Sequence, residues 1–179
     1  MDSRAAPSER LLLRERLLEG AVRAAVPLAR LAAPLSPKLG RGVAGRTGLA
    51  VRLAAWAAAE RDPARPLVWV HAPSLGEGLM AQAIIEALRQ ARPDAQVLFT
   101  HFSPSAERLR GQVGADAFDY LPWDARAYLR PVLESVRPGV LALVRTDLWP
   151  VLTAEAVRAG AHVALVNAVL SAGSGRTRP

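Results

Sequence analysis

Apolar and polar positions follow two different patterns along the chain, and the change lies near residue 66. Over residues 8–33, leucines and valines recur at roughly helical spacing with arginines between them, which predicts a long amphipathic helix. Prolines and glycines interrupt this pattern over residues 34–48, which favours a plain connecting loop, with a basic phosphate-binding loop as the alternative. A short apolar helix is predicted over Leu49–Glu60.

From Leu67 onward, short apolar runs alternate with helical patterns. The predicted strands are Leu67–His71, Gln96–Thr100, Asp119–Pro122, Val140–Val144 and His162–Asn167. The predicted helices are Leu79–Ala91, Ala106–Val113, Ala125–Val136 and Val151–Ala159. Such a series predicts an α/β fold, a Rossmann-like parallel sheet with helices on both faces, preceded by basic amphipathic helices. We therefore divide the chain into a basic helical, membrane-proximal segment, 1–65, and a Rossmann-like domain, 66–179.

Polar residues follow three of the predicted strands, at the positions where parallel sheets bind ligands. The first turn contains Ser74, Gly76 and Glu77, the second contains Asp147, and the third begins at Asn167. Since the carboxyl ends of parallel strands share one edge, we expect these turns to line a cleft in which Glu77 faces a substrate. Two structural alternatives stay open: Ser74 and Glu77 fit a Ser-x-x-Glu capping box, and Asp147 is suited to capping the next helix.

In the same turn, Gly76 and Gly78 flank Glu77, and we expect the missing side chains to clear space for a ligand. The three histidines are widely spaced and show no metal-ligand pattern, so no metal site is predicted. Cysteine is absent, which excludes disulfides and thiol nucleophiles.

The formal net charge of +7 is concentrated in the first third of the chain. Residues 1–65 contain twelve basic and six acidic residues, whereas the remainder contains eleven and ten. This asymmetry indicates an anionic partner, either membrane phospholipid or nucleic acid. Basic and aromatic residues are not interleaved as in nucleic-acid binders, so an anionic membrane surface is the expected partner. A helix packed on the domain with a solvated charged face fits the pattern equally well.

Five short segments occur together in the order and spacing of one family. They are His71-Ala-Pro-Ser-Leu-Gly-Glu77, Ser103-Pro-Ser-Ala-Glu-Arg108, Tyr120-Leu-Pro-Trp-Asp124, Thr146-Asp-Leu-Trp-Pro150 and Asn167-Ala-Val-Leu-Ser171. They resemble the N-terminal half of the 3-deoxy-D-manno-octulosonic acid (Kdo) transferases of lipopolysaccharide biosynthesis. The similarity spans roughly residues 66–175, and more loosely the basic segment before it.

The resemblance implies the N-terminal half of an inverting GT-B glycosyltransferase on the cytoplasmic face of the inner membrane, working without a metal or cofactor. This half would bind the acceptor, a lipid A precursor, through residues that include Ser74, Gly76, Asp147 and Asn167. Glu77 matches the family's proposed general base, and Asp147 its second acidic residue. The donor, CMP-Kdo, would bind a C-terminal domain.

The chain also departs from the family pattern. Arg145 stands where the family usually has a glutamate, Asp147 is one methylene shorter than its counterpart, and Val169 replaces an arginine. The printed sequence ends near where the family's interdomain linker begins, so we expect catalysis to need a companion donor-binding domain. The alternative is a membrane-associated binding module that kept the fold without the chemistry.

Overall fold

The computed structural model describes residues 9–145 and 149–167, with side chains from residue 16 onward. Its helices are α1 (Glu9–Ala32), α2 (Pro37–Arg46), α3 (Leu49–Glu60), α4 (Leu75–Ala91), α5 (Arg126–Val136) and α6 (Pro150–Arg158). Its strands are β1 (Leu67–His71), β2 (Gln96–His101), β3 (Ala117–Tyr120), β4 (Val140–Val144) and β5 (His162–Val166). Two short 3-10 helices cover Ala33–Leu35 and Pro104–Leu109.

The strands form a single sheet in the order β3-β2-β1-β4-β5, and every neighbouring pair is parallel. β1 is central: Val68 lies opposite Val97 of β2 on one side and opposite Val140 of β4 on the other. The chain adds β2 and β3 on one side of β1 and then returns to add β4 and β5 on the other. The predicted Rossmann-like α/β sheet is confirmed.

Apolar side chains fill the space on both faces of the sheet, as the helical covering of a parallel sheet requires. Leu67 and Trp69 of β1 belong to the cluster that contains leucines and valines of α3, α5 and α6. Val70 and Ala72 belong to a second cluster with Ala81 and Ile85 of α4. Since successive residues of a strand point to opposite faces, β1 is apolar at nearly every position.

Most of the predicted elements are found close to their predicted bounds, and two differ in kind or extent. Helix α4 begins at Leu75, one turn before the predicted start, because Ser74 adopts the extended conformation of an N-cap residue. The predicted helix over residues 106–113 is instead the 3-10 helix Pro104–Leu109. Gly111 and Gly114 both have positive φ, +75° and +68°, and this left-handed backbone is incompatible with a continued helix.

The prediction of a loop over residues 34–48 is wrong, since most of this stretch forms α2. Ser36 caps the helix by accepting a hydrogen bond from the Leu39 amide at 3.4 Å, and Pro37 occupies the first helical position. At the other end, Arg46 turns inward and donates to the carbonyls of Leu121 and Gly42 at 2.9 and 2.8 Å. The tertiary bond to Leu121 offsets the low helix propensity of the glycines. The alternative of a basic, glycine-rich phosphate-binding loop fails too, because the stretch is helical.

Helix α3 packs directly on the sheet domain. Leu49 and Leu53 are buried in the same cluster as Trp69 of β1. The division of the chain at residue 65 stays a prediction. No helix of the described residues combines the length and the apolar character needed to cross a membrane.

The close packing of α2 predicts the effect of a single added methyl group. A Cβ on Gly45 would overlap the Tyr120 ring, so we expect Gly45→Ala to lower the free energy of unfolding by about 1–3 kcal/mol through overpacking. Gly20→Ala is the matched control, because nothing lies within 4 Å of its added Cβ. There the better helix propensity of alanine should raise stability by roughly 0.5–1 kcal/mol. Urea unfolding of both variants measures this, and equal effects of the two substitutions would contradict the packing.

Candidate functional site

The site lies at the carboxyl edge of the sheet, where β1 and β4 meet. The chain leaves β1 toward one side of the sheet and β4 toward the other, and crevices at such reversals are where open α/β sheets bind ligands. Glu77 follows β1 in the first turn of α4, and Arg145 comes directly after β4. The structure therefore brings two of the three expected polar turns together at this edge.

The Glu77 carboxylate is held by two side chains. The Ser74 hydroxyl donates to its Oε2 atom, and Nη1 of Arg145 donates to Oε1 at 2.9 Å. The Glu77 side chain is 15% exposed and that of Arg145 is 55% exposed. The hydrogen bond from Ser74 and the charge and hydrogen bond of Arg145 lower the pKa of Glu77, although partial burial opposes them. Glu77 is therefore ionised at neutral pH.

The capping-box alternative for Glu77 does not describe what is seen. Ser74 stands at the N-cap position of α4, yet its side chain makes no capping hydrogen bond. Its hydroxyl is directed at the Glu77 carboxylate instead. The carboxylate is thus bound mainly by side chains at the sheet edge.

The residues that directly follow β4 and β5 share an uncommon backbone conformation. Arg145 has a φ of +67° and Asn167 a φ of +53°, both in the left-handed region. That region costs a non-glycine residue about 1–2 kcal/mol, although asparagine tolerates it better. Nδ2 of Asn167 donates to Sδ of Met80 on α4 at 3.1 Å. The third polar turn therefore also contacts α4, close to the turn that holds Glu77.

The other predicted site residues have different outcomes. Gly76 is exposed, and a Cβ placed on it would meet only Ser74 Oγ, at 4.0 Å, so the space beside Gly76 itself is open. The expectation that Gly78 also clears space for a ligand is wrong, because its missing side chain makes room for Leu109 in the core. Asp147 lies outside the described residues.

Sequence reasoning missed a buried polar layer beneath this edge. His71 is 1% exposed, its Nδ1 atom lies 3.0 Å from the Thr100 carbonyl oxygen, and its ring meets that of Trp149 edge-on at 5.2 Å. Burial lowers the pKa of His71 to about 3, so the ring is neutral. The sequence signal that could have indicated these buried polar contacts is a histidine at the end of an otherwise apolar strand. Within residues 9–145 and 149–167, no three histidine, aspartate or glutamate side chains come together as a metal site.

Comparison with known proteins identifies the family of the chain. The family model described as 3-deoxy-D-manno-octulosonic-acid transferase (kdotransferase) matches residues 47–178. This range covers α3, the whole sheet and every candidate site residue. The chain belongs to the Kdo transferase family.

Several curated Kdo transferases are similar in sequence over this domain. The proteins of Chlamydia muridarum, Rickettsia felis and Haemophilus influenzae are 34%, 32% and 31% identical to it over 113, 114 and 109 residues. The matches cover 61%, 63% and 60% of this chain, but 26%, 24% and 26% of the respective relatives. The chain therefore spans about a quarter of the length of the Kdo transferases it matches.

The contact between Arg145 and Glu77 predicts a measurable shift in acidity. Arg145→Ala removes a charge and a hydrogen bond that favour the ionised carboxylate, so the pKa of Glu77 should rise toward the ordinary glutamate value of about 4.3. The pair adds stability above that pH, and the contribution is lost as the pH falls through the lowered pKa of Glu77. Carbon-13 NMR of labelled glutamate, with Glu77 assigned from Glu77→Gln, measures the titration. Arg145→Lys should keep most of the lowering of the Glu77 pKa, because lysine keeps the positive charge. An unchanged titration midpoint of Glu77 in Arg145→Ala would contradict the ion pair.

Proposed function

We propose that this chain is the acceptor-side part of a Kdo transferase, with Glu77 as the general base. The observation that carries the proposal is the position of the ionised Glu77 carboxylate at the reversal between β1 and β4. Membership of the Kdo transferase family supports the same proposed function. The proposed acceptor is a lipid A precursor, and the proposed donor is CMP-Kdo.

In the proposed reaction, an acceptor sugar hydroxyl attacks the anomeric carbon of Kdo. The new bond forms between the hydroxyl oxygen and that carbon, while the bond from the carbon to the phosphate oxygen of CMP breaks. CMP leaves with the bonding electron pair, and the hydroxyl proton passes to Glu77. Ser74 holds the carboxylate, whereas Gly76, Asp147 and Asn167 belong to the proposed acceptor-binding surface.

The proposal assigns donor binding to a companion domain. A base and an acceptor alone lack the donor alignment that accounts for much of the catalysis of a two-substrate transfer. The curated relatives are about four times as long as the matched segment, which supports a division of the work between this domain and another.

Replacement of Glu77 in a complemented enzyme tests this function. The chain is joined to the remaining C-terminal part of the Haemophilus influenzae relative and assayed with CMP-Kdo and lipid A precursor. Glu77→Gln keeps the shape but removes the base, so we expect transfer to slow by at least about 100-fold. Glu86→Gln is the matched control, because Glu86 is exposed on the same helix and bonds to Gln82. A Glu77→Gln enzyme with the parent rate would eliminate Glu77 as the base.

The surface of α1 supports a second part of the proposal, binding to an anionic membrane. Val26 is buried against the domain, at 1% exposed. At about 100° per residue, Leu17, Leu28 and Leu31 lie on the opposite side of the helix, and they are 65%, 65% and 77% exposed. Arg16, Arg23 and Arg30 recur every seven residues beside them and are also exposed.

Neighbouring elements also carry exposed apolar side chains. Leu35, at the end of the 3-10 helix that follows α1, is 86% exposed, and Val51 of α3 is 73% exposed. Arg30 and Val51 line one surface depression of about 250 Å³. Leucines flanked by arginines suit the boundary between headgroups and acyl chains. We propose the cytoplasmic face of the inner membrane as the location, which is what the family resemblance implies.

Vesicle binding tests the membrane surface. The chain should cosediment with vesicles that contain anionic phospholipid, and added salt should weaken the association. We expect Leu28→Ser with Leu31→Ser to weaken partitioning by at least about tenfold, through the loss of buried apolar area. Val157→Ser is the control, since Val157 is 44% exposed but lies on α6. Unchanged binding of the double variant, or equal loss in the control, would contradict the assignment.

A non-catalytic membrane-bound module is the second candidate function. The observation that favours it is the Arg145–Glu77 ion pair, because a base whose charge is neutralised by an arginine is weakened. The complementation experiment separates the two functions: the module predicts vesicle binding with no transfer in any complemented form.

A further inference from the structure

The backbone and the side chain of Arg145 are held very differently. Its backbone N–H donates to the Val166 carbonyl at 2.9 Å, which extends the pairing of β4 with β5 by one residue. The backbone of Arg145 also adopts a left-handed φ of +67°. The side chain, in contrast, is 55% exposed and reaches Glu77 through Nη1. Arg145 therefore presents a guanidinium from a fixed point at the sheet edge.

The Arg145 end of the ion pair with Glu77 is open to solvent. The Arg145 side chain is 55% exposed and that of Glu77 is 15% exposed, so water and salt reach the guanidinium and weaken its attraction to the carboxylate. A costly backbone conformation that presents a weakly held side chain is typical of functional sites, where such strain is retained for a reason other than stability. The position beside the candidate base supplies that reason.

We propose that Arg145 is an exchangeable positioning residue, whose guanidinium holds Glu77 in the free chain and moves onto a phosphate group of the bound substrate. A phosphate is the expected ligand because it carries a charge of about −1.5 to −2 at neutral pH and accepts paired guanidinium hydrogen bonds. It can therefore displace a carboxylate that carries a single charge.

The exchange has a direct effect on Glu77. Within the described residues, Arg145 is the charged side chain that acts on this carboxylate, and the Ser74 hydroxyl acts from the same turn. When the guanidinium moves away, Glu77 keeps Ser74 and loses the group that neutralises it. Its proton affinity then rises only when substrate is bound. This consequence for catalysis rests on the proposed role of Glu77 as the base, whereas the exchange itself does not.

The exchange can be measured in the chain without a donor domain. Carbon-13 signals of the Glu77 carboxyl carbon and the Arg145 guanidinium carbon are followed at pH 7 during titration with inorganic phosphate. A second arm uses phosphorylated lipid A precursor in bicelles, with the dephosphorylated lipid as control, and sodium chloride matches the ionic strength. We expect a saturable movement of the Glu77 signal toward its position in Arg145→Ala.

The variants separate exchange from a structural role. Arg145→Ala should show no saturable response of Glu77, whereas Arg145→Lys should recover part of it. A response to lipid alone identifies a headgroup phosphate as the ligand, and a response to both sources identifies phosphate in general. The proposal is overturned by no saturable response to either source, by the same response with sodium chloride or dephosphorylated lipid, or by an undiminished response in Arg145→Ala. Failure of sugar transfer in the complemented enzyme would instead refute the proposed function and leave this measurement intact.

Discussion

The parallel pairing of β1 with both β2 and β4 is the constraint on which the candidate site depends. Leu67 pairs with Gln96 on one side, and Val68 pairs with Val140 on the other, so the carboxyl ends of β1 and β4 become neighbours. Residues 77 and 145 are far apart in sequence and acquire their 2.9 Å contact through this register. A shift of one residue in either pair would move each side chain to the opposite face, into an apolar cluster that does not fit it, and would separate the two charged groups.

Arg46 provides the link between the basic helices and the sheet. Its guanidinium is stacked over Phe102, Tyr120 and Trp123, with its central carbon 4.4, 4.9 and 4.5 Å from the ring centres. Burial lowers the pKa of Arg46 to about 10, which leaves it protonated at neutral pH. A buried charge is costly unless its donors are satisfied, and here carbonyl oxygens from α2 and from two loops satisfy them. The same bonds position α2, which the local sequence favours only weakly.

The long helix α1 joins the domain through charge as well as through apolar contact. Glu19 accepts a hydrogen bond from the Arg126 amide at 3.1 Å. It thereby satisfies a backbone N–H in the first turn of α5 that has no partner within that helix. Arg126 also bonds at 2.9 Å to the buried Glu155 of α6, which Arg130 approaches at 2.7 Å. These bonds orient α1 so that Leu28 and Leu31 face solvent. The exposed position of these leucines therefore depends on where α1 packs on the domain.

Local pattern alone determined the order of the strands, most of the helices, the parallel α/β class and the family resemblance. Apolar runs, helical spacing and turn residues are short-range properties, and α3, β1 and β4 lie where these patterns place them. Tertiary structure decided the rest. Helix α2 forms against local propensity because Arg46 bonds to the Leu121 carbonyl, 75 residues further along the chain. The predicted helix after Pro104 is only a short 3-10 helix, since glycines with positive φ follow it. The pairing of Arg145 with Glu77 likewise depends on strand register, which no local pattern encodes, since it emerges only when the whole sheet assembles.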